Sequence, residues 1–303
     1  MPELKLLPSK LFYCDQANNY PPFKNGLYLE EYFLEWMKSK NLSHDNQGRL
    51  YIPVLWTNFQ IRSWFNGKKE LMQEFLDKYI QENKCENGYF IVIQYDDGPL
   101  LKLPENTIIY GGCSGTHIIP LIYQDNQHRL ETAYQNSVSK NTTRNITCSF
   151  IGVFTHKVRT LMAAELSMYP GFKIINSGGW TPTVNAKNQD IFINTTLKSK
   201  FALTPRGYGR SSFRFFEVIK LGAIPIYIWN DIEWLPYKEK IDYTKFSISI
   251  NIKDIGQLPN MIDTIIKSGK YEEMLEEINR INQSGIFDYD YMCEYIIMNQ
   301  IQV

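Results

Sequence analysis

Short apolar runs rich in β-branched residues alternate with longer amphipathic stretches along almost the whole of this 303-residue chain. Residues 89–94 and 223–228 are runs of the first kind, and residues 70–80 and 212–221 are stretches of the second. Parallel strands need a crossover between them that is usually a helix, so the alternation favours βαβ units and parallel sheets. The sequence therefore predicts an α/β fold.

The other predicted elements continue this alternation through both halves of the chain. In the first half we predict further strands at 51–56, 107–110 and 118–123, and a further helix at 29–37. In the second half we predict further strands at 148–153, 172–175, 201–204 and 246–250, and further helices at 157–168, 188–199, 258–267, 271–282 and 288–299.

Residues 124–145 separate the two halves, because they are polar and have almost no apolar periodicity. We expect a domain boundary at the end of this stretch, with an N-terminal domain of residues 1–145 and a C-terminal domain of residues 146–303. The length suits two domains of roughly 150 residues each. If both domains are doubly wound and their sheets face one another, a ligand cleft lies between the carboxyl ends of their strands.

Charge and composition exclude several classes of function. Lys and Arg total 32, as do Asp and Glu, so the chain has no net basic field for nucleic acid or an anionic membrane. Hydrophobic residues make up 44% of the chain, which excludes wholesale disorder. An aromatic surplus of 20 Tyr, 17 Phe and 6 Trp supplies a candidate surface for stacking against sugars.

Cysteine usage and hydropathy bear on the compartment. The five cysteines are widely spread and never form a Cys-x-x-Cys pair, which favours a reduced, intracellular setting. No apolar run approaches 18 residues, and the first residues lack the apolar core of a signal peptide. We therefore expect a cytoplasmic protein without an integral membrane segment.

The densest group of chemically informative residues lies in a strand, loop and helix predicted at 201–221. The loop after Thr204 contains two glycines together with Arg206 and Arg210, and Ser211 or Ser212 can cap the helix that follows. Glycines allow close approach of the backbone, the helix N-terminus offers free N–H groups, and guanidinium groups bind phosphate oxygens in pairs. This arrangement suits a diphosphate.

Glu217 lies about one turn into the same predicted helix. A carboxylate there can accept hydrogen bonds from both hydroxyls of a ribose, so one unit could hold a nucleoside diphosphate by its sugar and its phosphates. The alternative interpretation is that the glycines only form a turn and that Glu217 pairs with Arg214 on a solvated helix face. The combination of two arginines, a cap and a glutamate favours the ligand site.

At this point the sequence resembles a known family. The segment SKFALTPRGYGRSSFRFFEVIKLGAIPIYI, followed by WLPYKEKIDYTKFSISI, resembles the donor-binding half of the exostosin family, glycosyltransferase family 47. That family has a strand ending in Pro-x-Gly, a helix with one Glu, a Gly-x-Ile-Pro-Val strand and a Leu-Pro-Phe segment in this order. The segment CSFIGVFTHKVRTLM is similar to the opening strand and loop of the same domain.

The resemblance implies two Rossmann-like domains in the GT-B arrangement and transfer of a sugar with inversion. The donor would be a nucleotide sugar, with UDP favoured, bound in the C-terminal domain, and the acceptor a glycan bound on the N-terminal side. The expected cytoplasmic setting, in which this chain departs from many relatives, suggests a glycan on a lipid or on another soluble carrier. Arginines and a helix N-terminus normally stabilise the leaving diphosphate in this fold, so no obligatory cofactor is expected.

The resemblance also assigns roles to individual residues. Arg206 and Arg210 would hold the diphosphate, and Glu217 the ribose. The whole expected donor-binding set is Gly152, Thr155, His156, Arg159, Pro205, Arg206, Gly207, Tyr208, Gly209, Arg210, Ser211, Ser212, Arg214 and Glu217. Trp234 and Tyr237 would shape the pocket, with a plain core position as the alternative for Trp234. A structural, hydrogen-bonded role is the alternative for His156.

An inverting transfer needs a base that takes the proton of the acceptor hydroxyl. Asp96 and Asp97 follow directly on the predicted strand 89–94 and would project from its carboxyl end. The alternative is that these acids only belong to the turn that Gly98 and Pro99 form. His117, after a neighbouring glycine-rich loop, is the competing base because its ordinary pKa lies near the useful range.

No metal site is expected from the sequence. Asp288 and Asp290 imitate the Asp-x-Asp signature of metal-dependent glycosyltransferases, but they open a predicted C-terminal helix, where acids suit the helix dipole. Two other classes of function remain open. One is a non-catalytic module that binds sugar nucleotides or glycans. The other, a glycoside hydrolase, is the weakest, since Asp96 and Asp97 are neighbours on an extended segment and point apart.

Overall fold

The computed structural model describes residues 4–16 and 21–298. Contacts divide the chain into two units, each with its own sheet. Unit 1 contains residues 4–16, 26–124 and 288–298, and unit 2 contains residues 21–25 and 125–287. Both sheets are entirely parallel, so the predicted α/β fold with parallel sheets is confirmed.

The helices and strands follow one another in the predicted alternation. The first half contains a 3₁₀ helix at Lys10–Tyr13, then α1 (Leu29–Ser39), β1 (Leu50–Tyr51), α2 (Trp56–Gln60), α3 (Phe65–Glu82), β2 (Tyr89–Ile93), β3 (Thr107–Gly111), β4 (His117–Ile118) and α4 (Arg129–Ser139). The second half contains β5 (Ile146–Gly152), α5 (Lys157–Leu166), β6 (Phe172–Asn176), α6 (Ala186–Leu197), β7 (Ser199–Pro205), α7 (Phe213–Lys220), β8 (Ile224–Trp229), β9 (Ile248–Asn251), α8 (Leu258–Lys267), α9 (Lys270–Ser284) and α10 (Tyr289–Met298), with 3₁₀ helices at Tyr243–Lys245 and Ile252–Gln257.

The sheet of unit 1 has the strand order β1-β2-β3-β4. β2 is buried along its whole length, as expected for a strand covered on both faces, and this explains its continuous apolar run. Ile91 and Ile93 of this strand pack in one core cluster with Trp56 and Phe59 of α2. Loss of water contact by these side chains is the main stabilising contribution to the unit.

Two predicted strands of unit 1 are wrong beyond their first residues. The strand predicted at 51–56 is only β1, and Trp56 already begins α2. The strand predicted at 118–123 is only β4. Pro53 and Pro120 interrupt these apolar runs, and because proline has no N–H it cannot continue a hydrogen-bonded ladder.

The sheet of unit 2 has the order β6-β5-β7-β8-β9. Numbered within the unit, this is the order 2-1-3-4-5 of flavodoxin-like doubly wound sheets. The chain leaves β5 towards one edge of the sheet, and after β6 it crosses back and continues from β7 towards the other edge. The carboxyl ends of β5 and β7 therefore flank a topological switch point, where such sheets leave a crevice for a ligand.

The residues of the expected linker belong to unit 2. Within 124–145 lies α4, in which only Leu130 is buried, so the stretch shows little apolar periodicity although it is helical. Glu131 of this helix pairs with Lys220 at the end of α7 at 2.6 Å. The ring of Tyr134 lies where a side chain on Gly222 would be, so the glycine that ends α7 is also needed for packing.

The end of the described chain belongs to unit 1. Tyr289 of α10 stacks on Tyr32 of α1 with ring centroids 4.5 Å apart. The Tyr32 hydroxyl donates a hydrogen bond to Asp290 at 2.8 Å. The division by contacts thus differs from the expected domains 1–145 and 146–303, because α4 lies in unit 2 and α10 packs on α1 in unit 1. Among the described helices, none has the length and apolar character needed to cross a membrane.

Candidate active site

Two helix N-termini lie at the switch point of the unit 2 sheet. β5 ends at Gly152 and leads into α5, and β7 ends at Pro205 and leads into α7. The side chain of Ser212 caps α7 by accepting a hydrogen bond from the backbone N–H of Arg214 at 3.3 Å. Free N–H groups and the positive end of the helix dipole make such a position favourable for an anion.

A pocket that is partly open to solvent lies beside these strand ends. Its walls come from the loop after β5, the loop after β6, α6 and the start of α7. The residues that line it are Pro22, Phe23, Phe150, Ile151, Gly152, Val153, Thr155, Arg159, Ser177, Gly179, Trp180, Thr181, Val184, Asn188, Gln189, Phe192, Ser212, Arg214 and Glu217. The lining is mixed, with aromatic and aliphatic side chains beside the charged groups of Arg159, Arg214 and Glu217.

Glu217 lies on the wall of this pocket and is only 4% exposed. Its Oε2 lies 3.6 Å from Nε of Arg214, whose guanidinium carbon lies 3.5 Å from the ring centre of Phe192. Nη1 of Arg214 is buried without a hydrogen-bond partner among the described residues. The pairing of Glu217 with Arg214 exists, therefore, but on a buried pocket wall and not on a solvated helix face.

Gly152 is a close-packed position at the end of β5. A Cβ on this residue would lie 2.8 Å from the ring of Phe150, which forms part of the pocket wall. The guanidinium of Arg159 lies 5.9 Å from the centre of the same ring. The absence of a side chain at Gly152 therefore leaves room for the Phe150 ring in the pocket wall.

Arg206 is held inside the loop after β7 and is 8% exposed. The pairing of β7 with β8, with Pro205 opposite Ile228, places Arg206 beside the residues that follow β8. Its Nη1 donates to Asn230 at 2.8 Å and to Asp231 at 2.5 Å. Neither Arg206 nor Arg210 is among the lining residues of the pocket.

Asp231 joins Arg206 to Arg210. Nε of Arg210 donates to the second carboxylate oxygen of Asp231 at 3.1 Å. Partial burial acts to raise the pKa of Asp231, but hydrogen bonds from the backbone N–H of Ile232 and from both arginines outweigh it and lower the pKa to about 2. Asp231 is a member of this cluster that the sequence analysis did not identify.

Arg159 connects the two loops of the switch point. Its Nη1 donates to the carbonyl of Val153 at 2.9 Å, and its Nε donates to the carbonyl of Arg206 at 3.1 Å. His156 caps α5 by accepting from the N–H of Val158 at 3.2 Å. Burial lowers the pKa of His156, and the nearby cations Arg206, Lys157 and Arg159 lower it further.

Several aromatic residues lie beneath or on the loop after β7. Trp234 is 5% exposed, and its ring lies 5.4 Å from the guanidinium carbon of Arg210. The hydroxyl of Tyr227 donates to the carbonyl of Arg210 at 2.6 Å, and Tyr237 is buried. Tyr208 is exposed at the tip of the loop. Trp234 and Tyr237 thus lie in the core beneath the loop and are not among the lining residues.

The candidate bases all belong to unit 1. Asp96 and Asp97 are the central residues of a tight turn after β2, closed by a hydrogen bond from the N–H of Gly98 to the carbonyl of Tyr95 at 3.1 Å. The structure thus shows the turn, and it places the turn at the carboxyl end of β2; the catalytic role of the two acids stays a prediction. Burial lowers the pKa of His117 at the start of β4, and the neighbouring Arg49 lowers it further.

Glu30 is a buried acid that the sequence analysis missed. It is 1% exposed and accepts hydrogen bonds from the N–H and hydroxyl of Thr57 at 2.9 and 2.5 Å and from the N–H of Gln94 at 2.9 Å. Burial raises its pKa to about 7, although these hydrogen bonds act to lower it. Glu30 ties α1 and α2 to the end of β2, directly before the turn with Asp96. At the start of an amphipathic helix it resembles an ordinary solvent-facing acid, so the sequence gives little signal of its burial.

Metal ligands are not grouped in the part of the chain that the structure describes, since no three His, Cys, Asp or Glu residues there are arranged to hold an ion. Asp290, one of the two acids in the Asp-x-Asp imitation, accepts a hydrogen bond from Tyr32. Its position near the start of α10 is the one expected from the sequence.

Comparison with known proteins gives a family match. The model of the exostosin GT47 domain matches residues 111–265. An exostosin-1 homolog of Caenorhabditis elegans is 36% identical over 99 residues, which are 33% of this chain and 25% of that protein. A probable arabinosyltransferase of Arabidopsis thaliana is 34% identical over 94 residues, 30% of this chain and 20% of that protein. A probable glycosyltransferase of the same plant is 28% identical over 104 residues, 34% of this chain and 22% of that protein.

The matched segments thus span about a quarter or less of these relatives' own length. Among solved structures, a sucrose-phosphate synthase from Thermosynechococcus elongatus is similar with a TM-score of 0.40 and 14% identity, over 89% of this chain and 70% of that one.

Proposed function

We propose that this chain, which belongs to the exostosin GT47 family, is a glycosyltransferase that moves a sugar from a nucleotide-sugar donor to a hydroxyl of a glycan acceptor. One observation carries the proposal. A pocket at the switch point of the unit 2 sheet holds a buried carboxylate, Glu217, and a guanidinium, Arg214, beside the N-terminus of α7. This combination fits a ribose and a diphosphate.

Glu217 would accept hydrogen bonds from the two ribose hydroxyls. Its burial strengthens such bonds, since a charge-assisted hydrogen bond in a low-dielectric site is stronger than one in water. Phe23, Phe150 and Phe192 line the same pocket, and Glu217 is 4% exposed there. We favour UDP as the nucleotide, on the resemblance of the residues around this loop to the family.

The leaving diphosphate would be stabilised by Arg214 and the capped N-terminus of α7, with Arg206 and Arg210 in the adjacent loop. Donors placed where negative charge develops contribute without reorganisation at the moment of reaction. Because Arg159 joins the loops after β5 and β7, it would keep Gly152 and the arginine loop at a constant separation.

The reaction is proposed to proceed with inversion, in one displacement at the anomeric carbon. The acceptor hydroxyl attacks that carbon, its proton passes to a base, and the bond to the diphosphate breaks with the electron pair leaving on the phosphate oxygen. Asp96 and Asp97 are the proposed bases, with His117 as the competitor. If neither aspartate is needed for activity, the role falls to His117.

The proposal is tested by titrating nucleoside diphosphates and nucleotide sugars into the protein while following NMR spectra and thermal unfolding. We expect one nucleoside diphosphate to bind and to raise the unfolding temperature, since a ligand that binds only the folded state stabilises it. Incubation of its sugar conjugate with glycan acceptors should then give an elongated, inverted product. Absence of binding by all of these ligands would refute the proposal.

A non-catalytic binding module is the alternative function. It requires donor binding with neither transfer nor slow hydrolysis of the donor over long incubation. The same incubation therefore separates the two, because a transferase without its acceptor still hydrolyses the donor slowly. Release of free sugar that is lost when Glu217 is replaced would support the enzyme.

A further inference from the structure

Arg206 and Arg210 are already bridged by an anion of the protein itself. The two carboxylate oxygens of Asp231 each accept from one arginine, at 2.5 Å from Nη1 of Arg206 and 3.1 Å from Nε of Arg210. One oxygen for each guanidinium is also the way in which a phosphate group bridges two arginines. Asp231 therefore occupies the donors that the loop would otherwise offer to a ligand.

The cluster of Arg206, Arg210 and Asp231 has more positive than negative charge, and one of its buried donors has no acceptor. Arg206 and Arg210 share the one carboxylate of Asp231, and Lys157 and Arg159 add positive charge beside His156 in the neighbouring loop. Arg206 is more than nine-tenths buried, and its Nε has no acceptor among the described residues. A buried donor without an acceptor is unfavourable, so this site can take a further anionic oxygen.

The contact with Asp231 is open to exchange. The side chains of Arg210 and Asp231 are 32% and 38% exposed, and an ion pair that is this accessible contributes little net stability. Arg206, in contrast, is anchored from its other nitrogen, because Nη2 donates to the carbonyl of Tyr208 at 2.8 Å. If Asp231 turns away, Arg206 stays in place through Tyr208 and Asn230, and the N–H that Asp231 had accepted from becomes available.

We infer that the carboxylate of Asp231 binds Arg206 and Arg210 in place of the ligand's phosphate, until a diphosphate displaces this carboxylate. The inference rests on the proposed function, since it assumes that these arginines belong to the diphosphate site. Asp231 then sets the affinity for the diphosphate group specifically. It also returns to the arginines when the diphosphate product leaves, which favours product release.

The test compares wild type with Asp231→Asn, which keeps the shape of the side chain and removes its charge. Calorimetric titrations use UDP, uridine and inorganic diphosphate. We expect Asp231→Asn to bind UDP and inorganic diphosphate about tenfold more tightly, because the competing charge is gone, and to bind uridine as wild type does. Asp263→Asn is the matched control, since Asp263 is an exposed residue of α8 in the same unit, and it should bind all three ligands as wild type does.

If Asp231 only shapes the loop, Asp231→Asn changes the affinity for UDP and diphosphate in the opposite direction. Loss of a clamp that shapes the loop would weaken UDP binding, so unchanged or weaker binding of UDP and diphosphate by a folded Asp231→Asn protein overturns the inference. If wild type binds no nucleoside diphosphate at all, the proposed function fails. In that case inorganic diphosphate still tests the role of Asp231. Tighter binding to the variant supports the role, and unchanged or weaker binding overturns it.

A second measurement keeps the inference testable if Asp231→Asn does not fold. In wild type titrated with inorganic diphosphate, the side-chain N–H resonances of Arg206 and Arg210 and the carboxyl resonance of Asp231 are followed together by NMR. We expect all three to shift along one binding curve. Binding that leaves the Asp231 resonance in place would show that the carboxylate is not displaced, and would overturn the inference.

Discussion

Replacement of Glu217 by Gln is expected to weaken binding of the nucleoside diphosphate through the ribose. The substitution keeps the size of the side chain, so Arg214 and Phe192 stay packed around it, but it removes the negative charge. A hydrogen bond to a charged group contributes about 1.5–3 kcal/mol, and the amide oxygen can still accept one ordinary bond. Two such bonds, less about 1 kcal/mol for the ordinary bond that remains, give an expected net loss of about 2–5 kcal/mol, or roughly a 30- to 5,000-fold higher Kd.

The assay is a calorimetric cycle of two proteins and two ligands. Wild type and Glu217→Gln are each titrated with UDP and with its 2′,3′-dideoxy analogue, which lacks both hydroxyls. The dideoxy ligand should bind the variant no more weakly than wild type, because Glu217 has no hydroxyl to contact on it and its charge no longer offsets that of Arg214. Glu276→Gln, an exposed position on α9, is the control for the charge change and should leave all affinities unaltered.

Two results would refute the reasoning. If Glu217→Gln binds UDP within twofold of wild type, the carboxylate does not bind the ligand. If the variant weakens UDP and the dideoxy analogue by the same factor, Glu217 acts through the fold of the pocket and not on the ribose hydroxyls. The unfolding temperature of the variant without ligand distinguishes a damaged pocket from a lost contact.

Three further predictions concern the pocket wall, the first unit and the base. Gly152→Ala should destabilise unit 2 by about 1–3 kcal/mol in denaturant unfolding, because its Cβ would lie 2.8 Å from the Phe150 ring; unchanged stability would show that the ring moves freely. The stability of wild type relative to Glu30→Gln should fall as pH rises from about 4.5 through 7, because a carboxyl whose folded pKa is raised loses stability as it ionises; a flat difference would contradict this. Of Asp96→Asn and Asp97→Asn, only one should lower kcat, by about 100-fold or more, with KM for the donor unchanged.

The pattern of the chain predicts unit 2 well. The predicted strand at 172–175 and helix at 258–267 match β6 and α8 closely. Local signals explain this success, since apolar periodicity, the Ser212 cap and Gly222 each act over a few residues. The same signals failed where proline interrupts an apolar run, as with Pro53 and Pro120, because apolar character alone does not show whether the backbone can join a ladder.

The candidate site was predicted only in part. The strand-loop-helix unit was predicted from the residues, and six of the expected donor-binding residues line the pocket, namely Gly152, Thr155, Arg159, Ser212, Arg214 and Glu217. The ligand chemistry of the unit stays a prediction. The aromatic walls and Trp180 come from distant segments and had no local signal. Most of the aromatic surplus that suggested a stacking surface lies in the cores of the two units, with Tyr208 and Trp180 as exposed members.

Periodicity and short-range chemistry are enough to predict an α/β chain with parallel strands, a capped helix after a glycine-rich loop, and the residues of that loop. Tertiary structure decided the strand order that creates the switch point between β5 and β7. It also decided the partners of the charged groups, because Arg206 meets Asp231 only through the pairing of β7 with β8, and Glu30 meets Thr57 and Gln94 only through the packing of unit 1. These contacts join residues that are far apart in sequence, so no local pattern encodes them.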